Sequence, residues 1–393
     1  MCSWYSGHGL ASWPQSSRGR VPPVRVTIVG GGVLGTTHAW EAVQRGHTVV
    51  HIEREAEARG ATVRNFGLVW VSGRAGFELD AALRARELWE RLGSMVPGVG
   101  FRPAGSLTLL RTPREVAVAE DVAGRPDAER RGFEVLDPER VRALNPALRG
   151  KFVAGLHCSR DAAVESRQAL PAIRAHLADT GRYTFVPGAE ARSVDGRVVV
   201  DDRGRRYESD LVLLCPGAEH GGLTREVAGD LPVRRVRLQM MQTEPLDEPL
   251  TTAIADGDSF RYYPAFAGAA LDELRNAEPQ DSVAEANRMQ LLCVQRLHGG
   301  LTIGDTHEYT EPFPVDVQEA PYAYLAGLVE EFLGRPLPPI RQRWAGVYSQ
   351  CVEPELVCRN HAGDGLWVIT GPGGRGMTLA PVIAEQTADV IGL

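Results

Sequence analysis

Residues 24–29 (Val24, Arg25, Val26, Thr27, Ile28, Val29) are short, largely β-branched and run directly into glycines. An apolar run of this length, bounded by a turn signal, predicts a buried parallel strand. Helical composition follows over 34–45, a turn forms at Gly46, and 49–53 reads as a second strand, which completes a βαβ unit. Leu83, Leu88 and Leu92 lay an apolar stripe along a helix over 79–92. A strand over 106–110 and a helix over 112–119 come next, then a helix start with Asp137 as N-cap and Pro138 at the first helical position. Residues 166–180 are helical, and 184–186, 197–200 and 206–207 read as strands of a small antiparallel meander. Residues 210–215 and 365–370 are again continuous apolar strands that run into glycine turns, and 378–391 forms a closing helix.

The return of the strand-plus-glycine-turn near 210–217 and again at 365–376 predicts one domain assembled from separated pieces, 23–80, 151–225 and 340–393. Residues 81–150 and 226–339 would form a second domain. Residues 1–22, rich in Ser, Gly and Pro, read as an irregular extension without the pattern of a signal peptide. No apolar run of about 18 residues occurs, so no membrane span is expected.

Composition narrows the function classes. Hydrophobic residues make up 43% and charged residues 24%, as in soluble globular proteins. A net charge of −7 with no basic tail argues against nucleic acid as a partner. The six cysteines form no CxxC pair, which fits a cytoplasmic location and predicts no metal site. Lys151 is the sole lysine, so catalytic lysine chemistry is confined to that position.

The chemistry-bearing motif is Gly30-x-Gly32-x-x-Gly35, with Val33 and Leu34 opening the helix. The first glycine permits the tight turn, the second lets a pyrophosphate approach the backbone, and the third allows close helix packing. Uncapped N–H groups at the helix start then face the anion. Glu53 ends the next strand about 20 residues on, where an acidic side chain accepts hydrogen bonds from a ribose. The following loop, Gly60 to Gly67, offers Arg64 to neutralise phosphate and Asn65 to hydrogen-bond a ring edge. A second glycine turn at Gly371, Gly373, Gly374, Arg375 and Gly376 opens the closing helix at Met377. Its N-terminus can stabilise negative charge on a reduced flavin.

Together these features resemble the D-amino acid oxidase and glycine/sarcosine oxidase superfamily. The matching stretches are Val29 to Gly35, Glu53-Arg54, Ala61 to Gly67 with Phe66, Cys215-Pro216-Gly217, and Gly371 to Ala380. The resemblance implies FAD as cofactor. It also implies an α/β plus antiparallel-sheet fold, with a glutathione-reductase-like FAD-binding Rossmann domain and a smaller α+β substrate-binding domain. Ala191 is its match for an adenine contact. Three segments, 62–70, 300–307 and 343–348, further resemble the branch associated with phosphonate catabolism. That branch is expected to oxidise aminophosphonates such as N-methyl-2-aminoethylphosphonate to an aldehyde and an amine.

On this layout Arg261, Tyr262, His307 and Arg343 are the candidates for holding a small anionic amine, since an arginine fork grips two oxygens of a phosphonate or carboxylate. By residue type alone each arginine is equally an ion-pair partner, and His307 a satisfied sheet histidine. The electron acceptor is O2 or another molecule. The alternatives are an oxidase or dehydrogenase for glycine, sarcosine or a D-amino acid, and a non-catalytic FAD-binding subunit of a complex. An NAD-dependent dehydrogenase has no use for the C-terminal glycine turn.

Overall fold

A computed structural model describes residues 22–393. The extension expected over 1–22 therefore lies outside the described residues except for its last position. The first layer is a six-stranded sheet. Its order is Cys358–Gly363, Leu366–Thr370, Leu211–Leu214, Arg25–Val29, Thr48–Glu53, Tyr183–Pro187. Neighbours are parallel except the first pair. Alternate side chains serve its two faces. Val26, Ile28 and Val49 pack under the helices Val33–Gln44, Ala169–Ala178 and Gly376–Ile391. Ile52 and Val212 pack under a three-stranded meander, Ala191–Asp195, Val198–Asp201 and Arg206–Glu208. Apolar burial on both faces is why these strands read as continuous hydrophobic runs.

The second layer is an eight-stranded sheet. It runs Ile340–Cys351, Val233–Pro245, Gly300–Gly304, Leu292–Gln295, Ala253–Asp256, Ser106–Leu110, Ala154–Cys158, Phe133–Leu136. All its neighbours are antiparallel except Ala253–Asp256 beside Ser106–Leu110. Two apolar clusters hold it, one on each side.

Local signals are carried out closely. Asp137 caps its helix by accepting from the Arg140 N–H at 2.9 Å. Thr112 and Glu115 form a reciprocal capping box at the start of Pro113–Ala123.

Three assignments differ from expectation. Residues 183–187 belong to the edge of the parallel sheet, not to the meander. They follow the helix Ala169–Ala178, and a helical crossover returns the chain parallel to Thr48–Glu53. Strands Ile340–Cys351 and Ala154–Cys158, expected in the first domain, pair within the eight-stranded sheet. Helix Phe77–Met95, expected to run mainly in the second, buries Leu79, Ala82, Ala85 and Trp89 in the core of the first. The two layers thus exchange chain at more points than the glycine turns mark.

Candidate active site

A cavity of about 1310 Å³ runs between the layers. Its first end is built by the opening turn. Gly30 has φ +108, and a Cβ there would lie 2.3 Å from the Cys215 carbonyl oxygen; a Cβ on Gly35 would lie 1.9 Å from the Gly30 oxygen. The turn therefore closes only around bare backbone. Gly32 differs, since a Cβ there would meet only Thr62 Oγ1, at 3.5 Å. Its space on the cavity side is open. Gly32 also gives the helix no side-chain cap, while the Val33 N–H donates to Thr62 Oγ1 at 2.9 Å and Leu34 lines the wall. Glu53 accepts from the Gly31 N–H at 2.6 Å and from the Glu55 N–H at 2.9 Å, which orients its carboxylate at the cavity edge. Ala191, Cys215, Pro216 and Gly217 line the same end. Arg54 is exposed there, 3.7 Å from Glu219.

The loop after Glu53 becomes a short 3-10 helix, Ala61–Arg64. Asn65 has a different task from the ring contact expected of it. Its Nδ2 donates to the Thr62 carbonyl at 2.7 Å and its Oδ1 accepts from the Gly67 N–H at 2.6 Å, so its amide holds the loop itself. Gly67 sits at φ +73, against the Val164 carbonyl. Arg64 donates to the Ala345 carbonyl at 3.1 Å and stays exposed at the cavity rim. Phe66 is buried in the wall.

At the far end Gly371 and Gly373 both have positive φ, and Gly373–Arg375 leads into the closing helix with no side-chain cap. Gly374, Gly376 and Met377 line the cavity. Arg375 is ion-paired with Glu78 and donates to the Glu355 carbonyl. Its charge is therefore already matched.

The candidate substrate residues separate. Tyr262 and His307 line the cavity and stack on each other, with ring centroids 4.4 Å apart. Burial holds the His307 pKa down to about 4, so the ring is neutral, and Nδ1 lies 3.0 Å from the Arg288 carbonyl. Arg261 lies outside the cavity: it pairs with Asp258 at 3.1 Å and donates to the Glu278 carbonyl. Arg343 also lies outside. It pairs with Glu319 at 3.2 Å, packs over Tyr322, and lines a separate cavity of about 600 Å³. Each of these arginines found a partner on its own element or a neighbouring one, which residue type could not reveal. Lys151 is exposed and lines neither cavity.

In their place the structure brings Arg74 to the cavity. It is 7% exposed. Its Nε donates to the Trp70 carbonyl at 3.3 Å and its guanidinium lies 5.7 Å from the Tyr263 ring centroid. Among the described residues no carboxylate comes within ion-pairing distance of it, and burial lowers its pKa. The turn carrying it is built deliberately. Asp161 accepts from the N–H groups of Val71 and Ser72 and from the Ser106 hydroxyl, and Arg131 donates to the carbonyls of Ser72 and Arg74. Gly73 gives Tyr263 room, since a Cβ there would come within 2.7 Å of the ring. The available sequence signal was an arginine between Gly73 and Gly76, directly beyond the Gly60–Gly67 loop. Tyr348, Gln290 and Asp305 were missed as well, and they line this end together with Tyr263, which neighbours the expected Tyr262.

Three buried polar atoms of residues on the wall, Trp70 Nε1, Gln290 Oε1 and Gln350 Oε1, have no hydrogen-bond partner among the described residues. Buried polar atoms are nearly always paired, so these call for a polar ligand. With the uncapped helix starts and the space beside Gly32, the cavity suits an extended dinucleotide bearing a polar ring system. The sequence profile described as FAD dependent oxidoreductase (DAO) matches residues 25–390.

The chain belongs to the DAO family of FAD-dependent oxidoreductases. Among the relatives of this DAO-family chain is glycine oxidase of Pseudomonas aeruginosa, 27% identical over 93% of this chain and 94% of that protein. Another is an opine oxidase polypeptide of Rhizobium meliloti, 26% identical over 56% of this chain. The match spans 63% of that polypeptide's length, less than two thirds. The fold matches the crystal structure of glycine oxidase from Bacillus cereus with a TM-score of 0.75 and 18% identity, covering 93% and 96% of the two chains. FAD is the cofactor of the DAO family, and the glycine turns, Glu53 and the uncapped closing helix are the elements of this chain that would hold it. Among the described residues no group of His, Cys, Asp and Glu could hold a metal ion, and no helix is long and apolar enough to cross a membrane.

Proposed function

We propose that this chain oxidises the C–N bond of a small amine bearing an anionic group, and that Arg74 grips the anion. The observation that carries this reading is a buried guanidinium in the cavity wall with no carboxylate partner among the described residues. Removing a cation from water is costly unless an opposite charge meets it. A carboxylate or phosphonate entering the cavity supplies that charge in the bidentate geometry arginine favours. The chemistry FAD supplies when bound is two-electron acceptance of a hydride. The chain's own residues bind, orient and desolvate. Arg74 fixes one end of the substrate, and Tyr262, Tyr263 and Tyr348 wall the chamber with apolar rings whose phenols burial keeps protonated. Hydrolysis of the oxidised C=N product then yields an aldehyde or oxo acid and a released amine.

Within this class we infer an aminophosphonate such as N-methyl-2-aminoethylphosphonate. The short segments 62–70, 300–307 and 343–348 support it, and Arg74 itself falls just past the first of them. The likeness to glycine oxidase over most of both chains favours the second reading, an amino acid.

The Arg74→Met holoenzyme tests the anchor. Truncating one partner of a buried charge pair costs roughly 2–5 kcal/mol, so KM for the anionic amine should rise about 30-fold or more. FAD content should be unchanged, and Arg74→Lys should fall between. An unchanged KM would refute the anchor. N-methyl-2-aminoethylphosphonate, 2-aminoethylphosphonate, sarcosine and D-alanine, compared by kcat/KM, separate the two substrate classes. Sarcosine turned over as well as the phosphonates would remove the aminophosphonate reading.

A further inference from the structure

The cavity holds a second buried charge-bearing group that the cofactor elements do not use. Asp305 follows the strand Gly300–Gly304, is 5% exposed and lines the wall. Its Oδ1 accepts from Gln290 Nε2 at 2.9 Å, and its Oδ2 lies 3.9 Å from His307 Nε2. Gln290 is 2% exposed, and its own Oε1 has no partner. His307 is neutral, so Asp305 meets no cation among the described residues. Burial pushes its carboxyl up to about 8.

The placement relative to Arg74 is informative. The Arg74 guanidinium lies 5.7 Å from the Tyr263 ring centroid, Tyr263 meets Tyr262 edge-on at 4.9 Å, Tyr262 stacks on His307 at 4.4 Å, and His307 Nε2 lies 3.9 Å from Asp305. Asp305 and Arg74 therefore face one tyrosine-walled chamber from different elements without pairing to each other. A molecule with an anion at one end and an ammonium at the other would satisfy both.

An alkylammonium has no lone pair on nitrogen, so it must lose a proton before its C–N bond can be oxidised. We propose that Asp305 receives the substrate's ammonium and takes that proton, with Gln290 holding the carboxylate in place. One N–H bond breaks, its electron pair stays on nitrogen, an O–H bond forms on Asp305, and the proton passes to solvent when product leaves. This inference rests on the amine reading above. Its charge balance has a consequence. Below pH 8 the free enzyme carries a protonated Asp305, so binding an ammonium substrate must release one proton; above it, none.

The other titratable and charged groups facing the chamber do not confuse the reading. His307 stays neutral above about pH 4. Burial raises the phenols of Tyr262, Tyr263 and Tyr348. Arg74 and Arg288 are the cations that act on those phenols and on His307, and the oxygens of Asp161 are engaged by Val71, Ser72 and Ser106.

The test is anaerobic flavin bleaching of the holoenzyme by the same four amines, followed from about pH 6 to about pH 10. The wild-type second-order rate should fall about tenfold per pH unit below pH 8. Asp305→Asn, which can keep the Gln290 contact, should bleach at least ~100-fold more slowly near pH 8, and its acid limb should shift from about 8 to the substrate amine's own pKa of ~10. Gln290→Leu withdraws a donor from the carboxylate and should move the limb to higher pH, which keeps the test alive should the asparagine variant fail to retain FAD. An acid limb that stays at about pH 8 in Asp305→Asn, or does not move in Gln290→Leu, overturns the role of Asp305 alone. If none of the amines bleaches the wild-type flavin, the amine reading falls with it.

Discussion

Three arginines show what a residue's type conceals. Arg74, Arg261 and Arg343 look alike in a sequence, and only the fold decides which one faces the cavity with no carboxylate beside it among the described residues. Arg261 is bound to Asp258, and both side chains are largely buried. Arg261→Ala should therefore lower unfolding stability by about 3 kcal/mol, because Asp258 is left as an uncompensated buried charge, while KM stays near wild type. Denaturant unfolding beside steady-state kinetics separates this from Arg74, where the reverse pattern is expected. Buried acids give a pH dependence at the same scale. Burial pushes Asp256 and Asp305 up to about 8, above their ordinary range, so the stability they contribute is whole below that range and lost as pH rises through 8. His38, His51 and His307, held down to about 4, are neutral in the folded chain, and in the unfolded chain they have lost nearly all their charge by about pH 7.5. Between about pH 7.5 and 8 the two acids should lower the unfolding free energy by about 1 kcal/mol per pH unit each. Urea midpoints across that window should fall for wild type and fall half as steeply for Asp305→Asn.

Among elements, the opening turn was the most legible, because strand, turn and helix are adjacent in sequence and each glycine has a local reason. The structure divides those reasons. Gly35→Ala would drive a Cβ into the Gly30 carbonyl, so it should destabilise the apoprotein and abolish FAD retention together. Gly32→Ala meets no protein atom closer than 3.5 Å and has backbone angles that alanine tolerates, so it should leave apoprotein stability unchanged and weaken FAD alone. Thermal unfolding with and without added FAD distinguishes the two. Elements defined by distant partners were less legible. Residues 183–187 have the same alternation in an edge strand as in a meander, and only the preceding crossover helix settles which sheet takes them. Ile340–Cys351 joins the second sheet by pairing along Val233–Pro245, more than 90 residues away, and no local pattern marks that choice.

Across the whole molecule, the cavity exists because two sheets from interleaved chain segments face each other. The first supplies the glycine turns and uncapped helix starts, and the second supplies tyrosines, Gln290 and Asp305. The cofactor side was readable because its chemistry is written in contiguous motifs. The substrate side was not, because Arg74, Tyr263, Asp305 and Tyr348 come from four separate stretches that only folding brings to one chamber. The most direct test of the central claim is anaerobic titration of the yellow holoprotein with paired amines that differ only in the anion, sarcosine against dimethylamine and N-methyl-2-aminoethylphosphonate against N-methylethylamine. An acid-bearing member should bleach the flavin at concentrations at least ~30-fold below its neutral-tailed partner, with the gap closing in Arg74→Met. Equal bleaching by both members of each pair, or bleaching by neither, would contradict it.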